Sequence, residues 1–203
     1  MSDTLQIYQL FLTGYVIVIL LSFVFTVLIT KRRIGRKPTG ARDKRTAFIA
    51  FFPMVWVFTV FLFVVKPESF DWFWKVSFFD INELKIIAVF AMIGAVFLNI
   101  AGIAVMGESF RMGIPRDEKT KLITTGIFHY IRNPGFLTLD IAVFGTFLII
   151  PNLLTILEAV LTILVYHFQI LEEEKHLMKL HGTEYEVYMK KTGRYFPKLF
   201  QHH

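Results

Sequence analysis

Long apolar blocks separated by shorter polar stretches dominate the chain. The first three blocks cover about residues 7–30, 47–65 and 86–106. A helix needs roughly 20 apolar residues to cross the hydrocarbon core of a bilayer, and each block is close to that length or longer. The pattern therefore predicts three membrane-spanning helices in the first half of the chain.

The last apolar block, residues 135–170, is too long for a single span. Pro151-Asn152 divides it near the middle, and proline commonly ends a helix. The block therefore predicts a tight helical hairpin whose arms are spans four and five. Polar residues follow, and we expect span five to continue as a helix to about His181, where Gly182 ends it.

The distribution of charge predicts the orientation. Residues 31–45 contain eight Lys or Arg against one acid, Asp43, and loops with an excess of Lys and Arg lie on the cytoplasmic side. A nucleic-acid-binding arm would be equally basic, but the position between two apolar blocks favours a cytoplasmic loop and predicts no nucleic-acid partner. The expected fold is an all-α integral membrane protein of about five transmembrane helices, with its N-terminus outside and its C-terminus in the cytoplasm.

Composition agrees with a membrane domain and removes several kinds of chemistry. Hydrophobic residues make up 55% and charged residues 19%, whereas soluble domains are nearer 45–50% and about 25%. The absence of Cys excludes disulfides and a thiol nucleophile. The histidines show no metal-ligand spacing, so we predict no metal site, and common nucleotide-binding and hydrolase motifs are missing. We expect one multi-pass domain over residues 1–203, in contact with the lipid bilayer.

Two polar clusters lie on the predicted cytoplasmic side. The first covers residues 122–134 and contains Arg132, and the second begins at Glu172-Glu173-Glu174. The hairpin arms between them are nearly equal in length, so at roughly 1.5 Å per residue Glu173 returns to the membrane face of Arg132. Charges at a bilayer boundary are costly unless they are partnered. The two residues therefore either pair structurally or hold a charged ligand.

The spacing within these clusters resembles the isoprenylcysteine carboxyl methyltransferase family, and more loosely the phospholipid N-methyltransferases. The pattern is Leu122-x3-Gly126-x-Phe128-x3-Arg132-Asn133-Pro134-x-Phe136, then Glu173-Glu174-x2-Leu177-x4-Gly182-x2-Tyr185-x2-Tyr188-x5-Arg194-x2-Pro197. It covers somewhat over a third of the chain. The N-terminal spans match only in hydropathy and number.

The resemblance implies a membrane methyltransferase that uses S-adenosylmethionine without a Rossmann domain. Residues 1–106 would then form three N-terminal spans, and residues 107–203 the cofactor-binding core, with the active site facing the cytoplasm. Carried over by position, the cofactor would contact Thr120, Lys121, Leu122, Ile123, Phe128, Asn133, Pro134, Gly135, Phe136 and Glu173.

The chain departs from the family pattern at several of these positions. Thr120 and Asn133 replace histidines, and Phe128 and Phe136 replace tyrosines. Gln169 stands where the family has an Arg on the substrate side. A neutral Gln cannot neutralise a substrate carboxylate, so the chain favours a neutral or cationic amphiphile as the methyl acceptor over a prenylcysteine acid.

The candidate catalytic residues are Arg132, Glu173 and Glu174. An amine acceptor must lose a proton, which Glu173 or Glu174 can take, and Arg132 can hold the carboxylate of the cofactor or orient Glu173. The acidic triplet also suits a solvated helix start with an i,i+4 pair between Glu172 and His176.

Further residues have two readings each. Asp140 and Glu158 are acids within predicted spans, where ionisable groups often mark function but where a single buried acid can also be neutral and hydrogen-bonded. Asp140 is close enough to the cytoplasmic side to face the substrate. Tyr185 and Tyr188 are either site residues or interfacial anchors.

Two other functions remain open at this point. A sterol-type double-bond reductase would bind a nicotinamide cofactor. A non-catalytic scaffold would bind neither S-adenosylmethionine nor a nicotinamide cofactor. The sequence leaves the methyl acceptor, the choice between O- and N-methylation, the oligomeric state and the cellular membrane undetermined.

Overall fold

The computed structural model describes residues 3–34, 44–106 and 122–198. Within these ranges, isolated bridges are the only β contacts. The α-helices are α1 (Asp3–Ile34), α2 (Lys44–Val65), α3 (Asn82–Met106), α4 (Pro134–Ile149), α5 (Leu153–His181) and α6 (Thr183–Lys191). Short 3-10 turns cover Pro67–Trp72, Ser77–Phe79 and Gly126–His129. The predicted all-α class is confirmed.

Four of the described helices, α1, α2, α3 and α5, are long and apolar enough to cross a membrane. The predicted fourth span, α4, has only 16 residues. At 1.5 Å per residue it is roughly 24 Å long, shorter than a hydrocarbon core of about 30 Å. Pro134 at its start and Pro151 after its end set this length. The chain is a multi-pass membrane protein with four described full-length spans and one shorter apolar helix, where the sequence predicted about five spans.

The turn between α4 and α5 lies at Pro151-Asn152, as predicted. Asn152 caps α5 by accepting a hydrogen bond from the Thr155 backbone N–H at 3.0 Å. The loop between α2 and α3 packs on this turn, because Val76 N–H donates to Pro151 O at 2.8 Å and Leu153 N–H donates to Trp74 O at 2.9 Å. The hairpin is therefore held at its closed end by the preceding loop.

The start of α1 lies at the same end of the bundle as this turn. Gln9 Nε2 donates to Phe63 O near the end of α2 at 3.0 Å, and Lys85 at the start of α3 lies over the Tyr8 ring at 5.7 Å. The two polar clusters lie at the opposite end. This agrees with the predicted arrangement of the two faces, and the assignment of the cluster end to the cytoplasm stays a prediction.

Close packing against α3 fixes the position of α4, which begins at the end of the first polar cluster. A Cβ added at Gly145 would lie 2.7 Å from the Met92 side chain, and one added at Gly102 would lie 3.5 Å from Pro134. Thr138 Oγ1 also donates to Ala95 O at 3.2 Å. Gly145 therefore lets α3 and α4 approach closely, as small residues do in membrane helix contacts.

Candidate functional site

A buried ion cluster joins the two polar clusters of the sequence. Arg132 donates from Nε and Nη2 to Glu174 Oε1 at 3.0 and 2.9 Å. Both side chains are 7% exposed. The sequence prediction that an Arg and a carboxylate meet here is confirmed, but the acid paired with Arg132 is Glu174.

The remaining donors of Arg132 bind the backbone in the last turn of α6 and just beyond it. Nη1 donates to Met189 O at 3.2 Å and also to Thr192 O. Arg132 N–H donates to Gly193 O at 2.9 Å. The guanidinium is therefore engaged within the protein, which favours a positioning role over binding of a cofactor carboxylate.

Arg194 is a second cation on Glu174. It donates from Nη2 to Glu174 Oε2 at 2.7 Å and from Nε to both carboxylate oxygens. The carboxylate beside it raises the pKa of Arg194 further above its already high value. Arg194 belongs to the quoted motif, but sequence reasoning gave it no role. We call Arg132, Glu174 and Arg194 the ion cluster.

The tyrosines of α6 pack inside the protein. Tyr185 and Tyr188 are 2% and 9% exposed, so the interfacial-anchor reading is wrong. Tyr188 donates from its hydroxyl to Phe128 O at 2.6 Å, and burial raises the pKa of Tyr188 to about 12. Thr192 Oγ1 donates to His129 O at 3.1 Å. Together these bonds fasten the turn at Gly126–His129 to the C-terminal segment.

Glu173 lies beside the ion cluster in a different environment. It is half-buried, and its Oε1 accepts a hydrogen bond from Gln169 Nε2 at 2.7 Å. Gln169, the predicted substrate residue, is 5% exposed. Its Oε1 is buried and receives no hydrogen bond from the described parts of the chain.

Apart from Glu173 on α5, the described residues of the predicted cofactor set fall on two adjoining segments. Leu122 and Ile123 lie in the irregular stretch before the 3-10 turn, which holds Phe128. Asn133 precedes α4, and its Nδ2 is 3.5 Å from Arg194 O. Pro134, Gly135 and Phe136 form the first turn of α4. Thr120 and Lys121 lie outside the described residues.

Asp140 lies one turn further along α4 than Phe136. Its Oδ1 is buried and has no hydrogen-bond partner among the described residues. The Phe136 ring packs against Tyr166 of α5, with centroids 5.4 Å apart. Glu158, the other intramembrane acid, receives a hydrogen bond from Thr59 of α2 and lies two turns further toward the hairpin turn than Tyr166.

One aromatic pair near the site has no signal in the sequence. His167 Nδ1 and the Tyr195 hydroxyl are 2.8 Å apart, and the rings stack at a centroid distance of 6.1 Å. The residues are 28 positions apart, so only the fold joins them.

Among the described residues, no group of His, Asp and Glu could hold a metal ion.

Two comparisons with known proteins give matches. Residues 84–184 match the family model for phospholipid methyltransferase. A stretch of 106 residues, 51% of the chain, is 29% identical to a protein-S-isoprenylcysteine O-methyltransferase from Schizosaccharomyces pombe. The chain spans 45% of the length of that curated relative.

The family match includes the first polar cluster and both hairpin helices, and both matches are to methyltransferases. They confirm the resemblance carried by the spacing of the two polar clusters. The chain resembles the membrane methyltransferases of the isoprenylcysteine carboxyl methyltransferase and phospholipid methyltransferase families.

Proposed function

We propose that the protein is an S-adenosylmethionine-dependent methyltransferase that acts on a lipidic or amphiphilic acceptor from the cytoplasmic side of the membrane. The observation that carries this proposal is the ion cluster. It ties the segment before α4, the end of α5 and the chain beyond α6 into one unit. The residues that the family resemblance assigns to the cofactor lie around the first two of these parts, at residues 120–136 and at Glu173.

The local structure leaves room for such a cofactor. A Cβ added at Gly135 would meet no atom within 4 Å, and Gly135 is exposed in the first turn of α4. The N–H groups at a helix N-terminus favour negatively charged groups, and the Phe136 ring offers an aromatic face beside them. Leu122, Ile123, Phe128 and Asn133 would complete the pocket, with Thr120 and Lys121 as further candidates. When bound, S-adenosylmethionine supplies a methyl group already activated on a sulfonium.

The protein would then have to position the reactants and exclude water. Orientation of this kind is worth roughly 7–11 kcal/mol in favourable cases. Arg132 and Glu174 would hold the pocket in shape, because their charged groups are engaged with each other. Glu173 remains the best placed of the three acids to contact the cofactor or accept a proton, since it is half-buried next to Gln169.

Calorimetry with S-adenosylhomocysteine tests the proposal. The full chain, purified and monodisperse in detergent, is expected to bind this product analogue, and Glu173→Ala is expected to weaken binding or turnover without loss of the fold. Glu172→Ala is the matched control, because Glu172 pairs with exposed Lys175 at 3.0 Å on the same helix. If the unmodified protein does not bind S-adenosylhomocysteine, the proposal that it is a methyltransferase is refuted. Binding of a nicotinamide nucleotide instead would support the reductase.

A further inference from the structure

Two hydrogen-bond acceptors lie unpartnered beside the proposed cofactor pocket. Asp140 Oδ1 and Gln169 Oε1 are buried and accept no hydrogen bond within the described ranges. The orientation of the Gln169 amide is determined by chemistry, because its Nε2 donates to Glu173 at 2.7 Å and a carboxylate can only accept. Unsatisfied buried acceptors are costly. Their presence indicates a ligand that donates hydrogen bonds.

Helix geometry places the two acceptors on the facing sides of α4 and α5. The contact between Phe136 and Tyr166 shows which faces of α4 and α5 meet. Asp140 follows Phe136 by four positions and Gln169 follows Tyr166 by three, so each lies on the facing side of its helix. Each side chain tilts toward the N-terminus of its own helix. Because α4 and α5 are antiparallel, the tilts converge at the level of the aromatic contact.

Aromatic rings surround this point. Tyr166 packs against Phe52 of α2 as well as Phe136, with centroids 6.5 Å apart. Tyr195 lies on the C-terminal side, and its pKa is raised by burial first and by the charge of Asp140 second. The Tyr195 ring stacks on His167, the residue that follows Tyr166 on α5. Aromatic faces attract cations, so the rings and the carboxylate favour the same kind of ligand.

We propose that Asp140 and Gln169, together with the Phe136 and Tyr166 rings, bind the protonated amino group of the methyl acceptor. This inference rests on the proposed function and names its substrate class, an amphiphile with a primary or secondary amine. An ammonium group brings a positive charge and several N–H donors to the two unpartnered acceptors. A carboxylate in the same place would meet repulsion from Asp140.

Asp140 also provides a place for the proton that the acceptor must lose. The N–H bond breaks, the proton passes to a carboxylate oxygen of Asp140, and the nitrogen keeps the electron pair. The neutral amine is then a nucleophile held near the first turn of α4. This assigns proton acceptance to Asp140, with Glu173 left on the cofactor side of Gln169.

Binding of three amphiphiles with the same tail tests the inference. Dodecylamine, dodecanol and dodecanoic acid are titrated by calorimetry into the full purified chain in the presence of S-adenosylhomocysteine. Equal tails give similar partition into detergent, so differences report the head group. We expect the amine to bind at least about tenfold more tightly than the alcohol or the acid, since loss of a buried charge partner is costly.

The variants separate this site from a general effect of an intramembrane acid. Asp140→Asn should remove the preference for the amine, and Gln169→Leu should reduce it several-fold. Glu158→Gln is the matched control, because Glu158 is also a buried acid with one unpartnered oxygen, but it lies two turns nearer the hairpin turn than Tyr166 and receives a hydrogen bond from Thr59 on α2. It should keep the preference.

The outcomes distinguish this inference from the proposed function. Intact binding of S-adenosylhomocysteine without any preference for dodecylamine would overturn the inference alone. So would an undiminished preference in both the Asp140→Asn and Gln169→Leu variants. If Asp140→Asn does not fold, the Gln169→Leu variant decides. Absence of S-adenosylhomocysteine binding by the unmodified chain would instead remove the proposed function.

Discussion

Arg132 and Glu174, 42 positions apart in the chain, are joined by hydrogen bonds of 3.0 and 2.9 Å in a site where both side chains are 7% exposed. The pair links the segment before α4 to the cluster end of α5. Arg194 binds the other oxygen of Glu174 at 2.7 Å. One carboxylate therefore compensates two cations, and its removal leaves both without their partner.

Glu174→Ala is expected to lower the free energy of unfolding by about 3–5 kcal/mol, because it leaves a buried guanidinium uncompensated. Glu172→Ala breaks a pair whose side chains are 42% and 70% exposed, and exposed pairs are worth at most about 1 kcal/mol. Thermal or denaturant unfolding of both variants in the same detergent measures the difference. Equal losses would contradict the buried role of Glu174.

Substitution by Ala at two glycines near the site should change stability by different amounts. Gly126 has φ of 59°, and an added Cβ would lie 2.5 Å from Val105 Cγ2, so Gly126→Ala should lower stability by more than about 1 kcal/mol. Gly135 is in the first turn of α4 with open space around it. Gly135→Ala should leave stability within about 1 kcal/mol, but weaken binding of S-adenosylhomocysteine. Unchanged binding would place the cofactor elsewhere.

Tyr188→Phe removes the hydroxyl that donates to Phe128 O at 2.6 Å. The expected loss of stability is about 1–3 kcal/mol, because the carbonyl loses its partner in a buried position. Tyr130→Phe is the control, since Tyr130 is 56% exposed. Unfolding measurements that show no difference between the two variants would refute this bond.

The same tyrosine predicts a dependence on alkaline pH. Burial raises the pKa of Tyr188 from 10.0 to about 12, so the folded state favours the protonated hydroxyl. Its contribution is complete below about pH 10 and is lost as the pH rises through 12. Stability of the unmodified protein should fall more steeply over this interval than that of Tyr188→Phe. Parallel curves would contradict the shifted pKa.

Single cysteines test the proposed orientation, because the chain has none of its own. Ser77→Cys lies in the exposed loop before α3, and Lys190→Cys lies near the end of α6. An impermeant thiol reagent should label the Ser77 variant in intact cells, and the Lys190 variant only after the membrane is opened. Labelling of Lys190→Cys with protection of Ser77→Cys would reverse the orientation.

The sequence by itself determined the features that depend on local order. Apolar runs defined the spans, Pro151-Asn152 placed the hairpin turn, and Gly182 ended α5. The equal arms of the hairpin also predicted that Arg132 would meet the acidic triplet. The count of full-length spans was less accurate, because prolines at both ends shorten α4 to 16 residues.

The spacing of the motif residues also depends on local order along the chain, and this spacing indicated the family. Residues that must meet one cofactor keep fixed separations within a segment, and these separations are visible in the chain. Partners that meet only through the fold leave no such mark. The stacked pair of His167 and Tyr195 and the burial of Tyr185 are examples.

Only the tertiary structure decided how the acids divide their partners. Adjacent residues of an α-helix point roughly 100° apart, so Glu173 and Glu174 cannot face the same neighbour. The rotation of α5 against α4 turns Glu174 to Arg132 and Arg194, and leaves Glu173 beside Gln169. Spacing along the chain cannot choose between these rotations, because the choice comes from the packing of whole helix faces against each other.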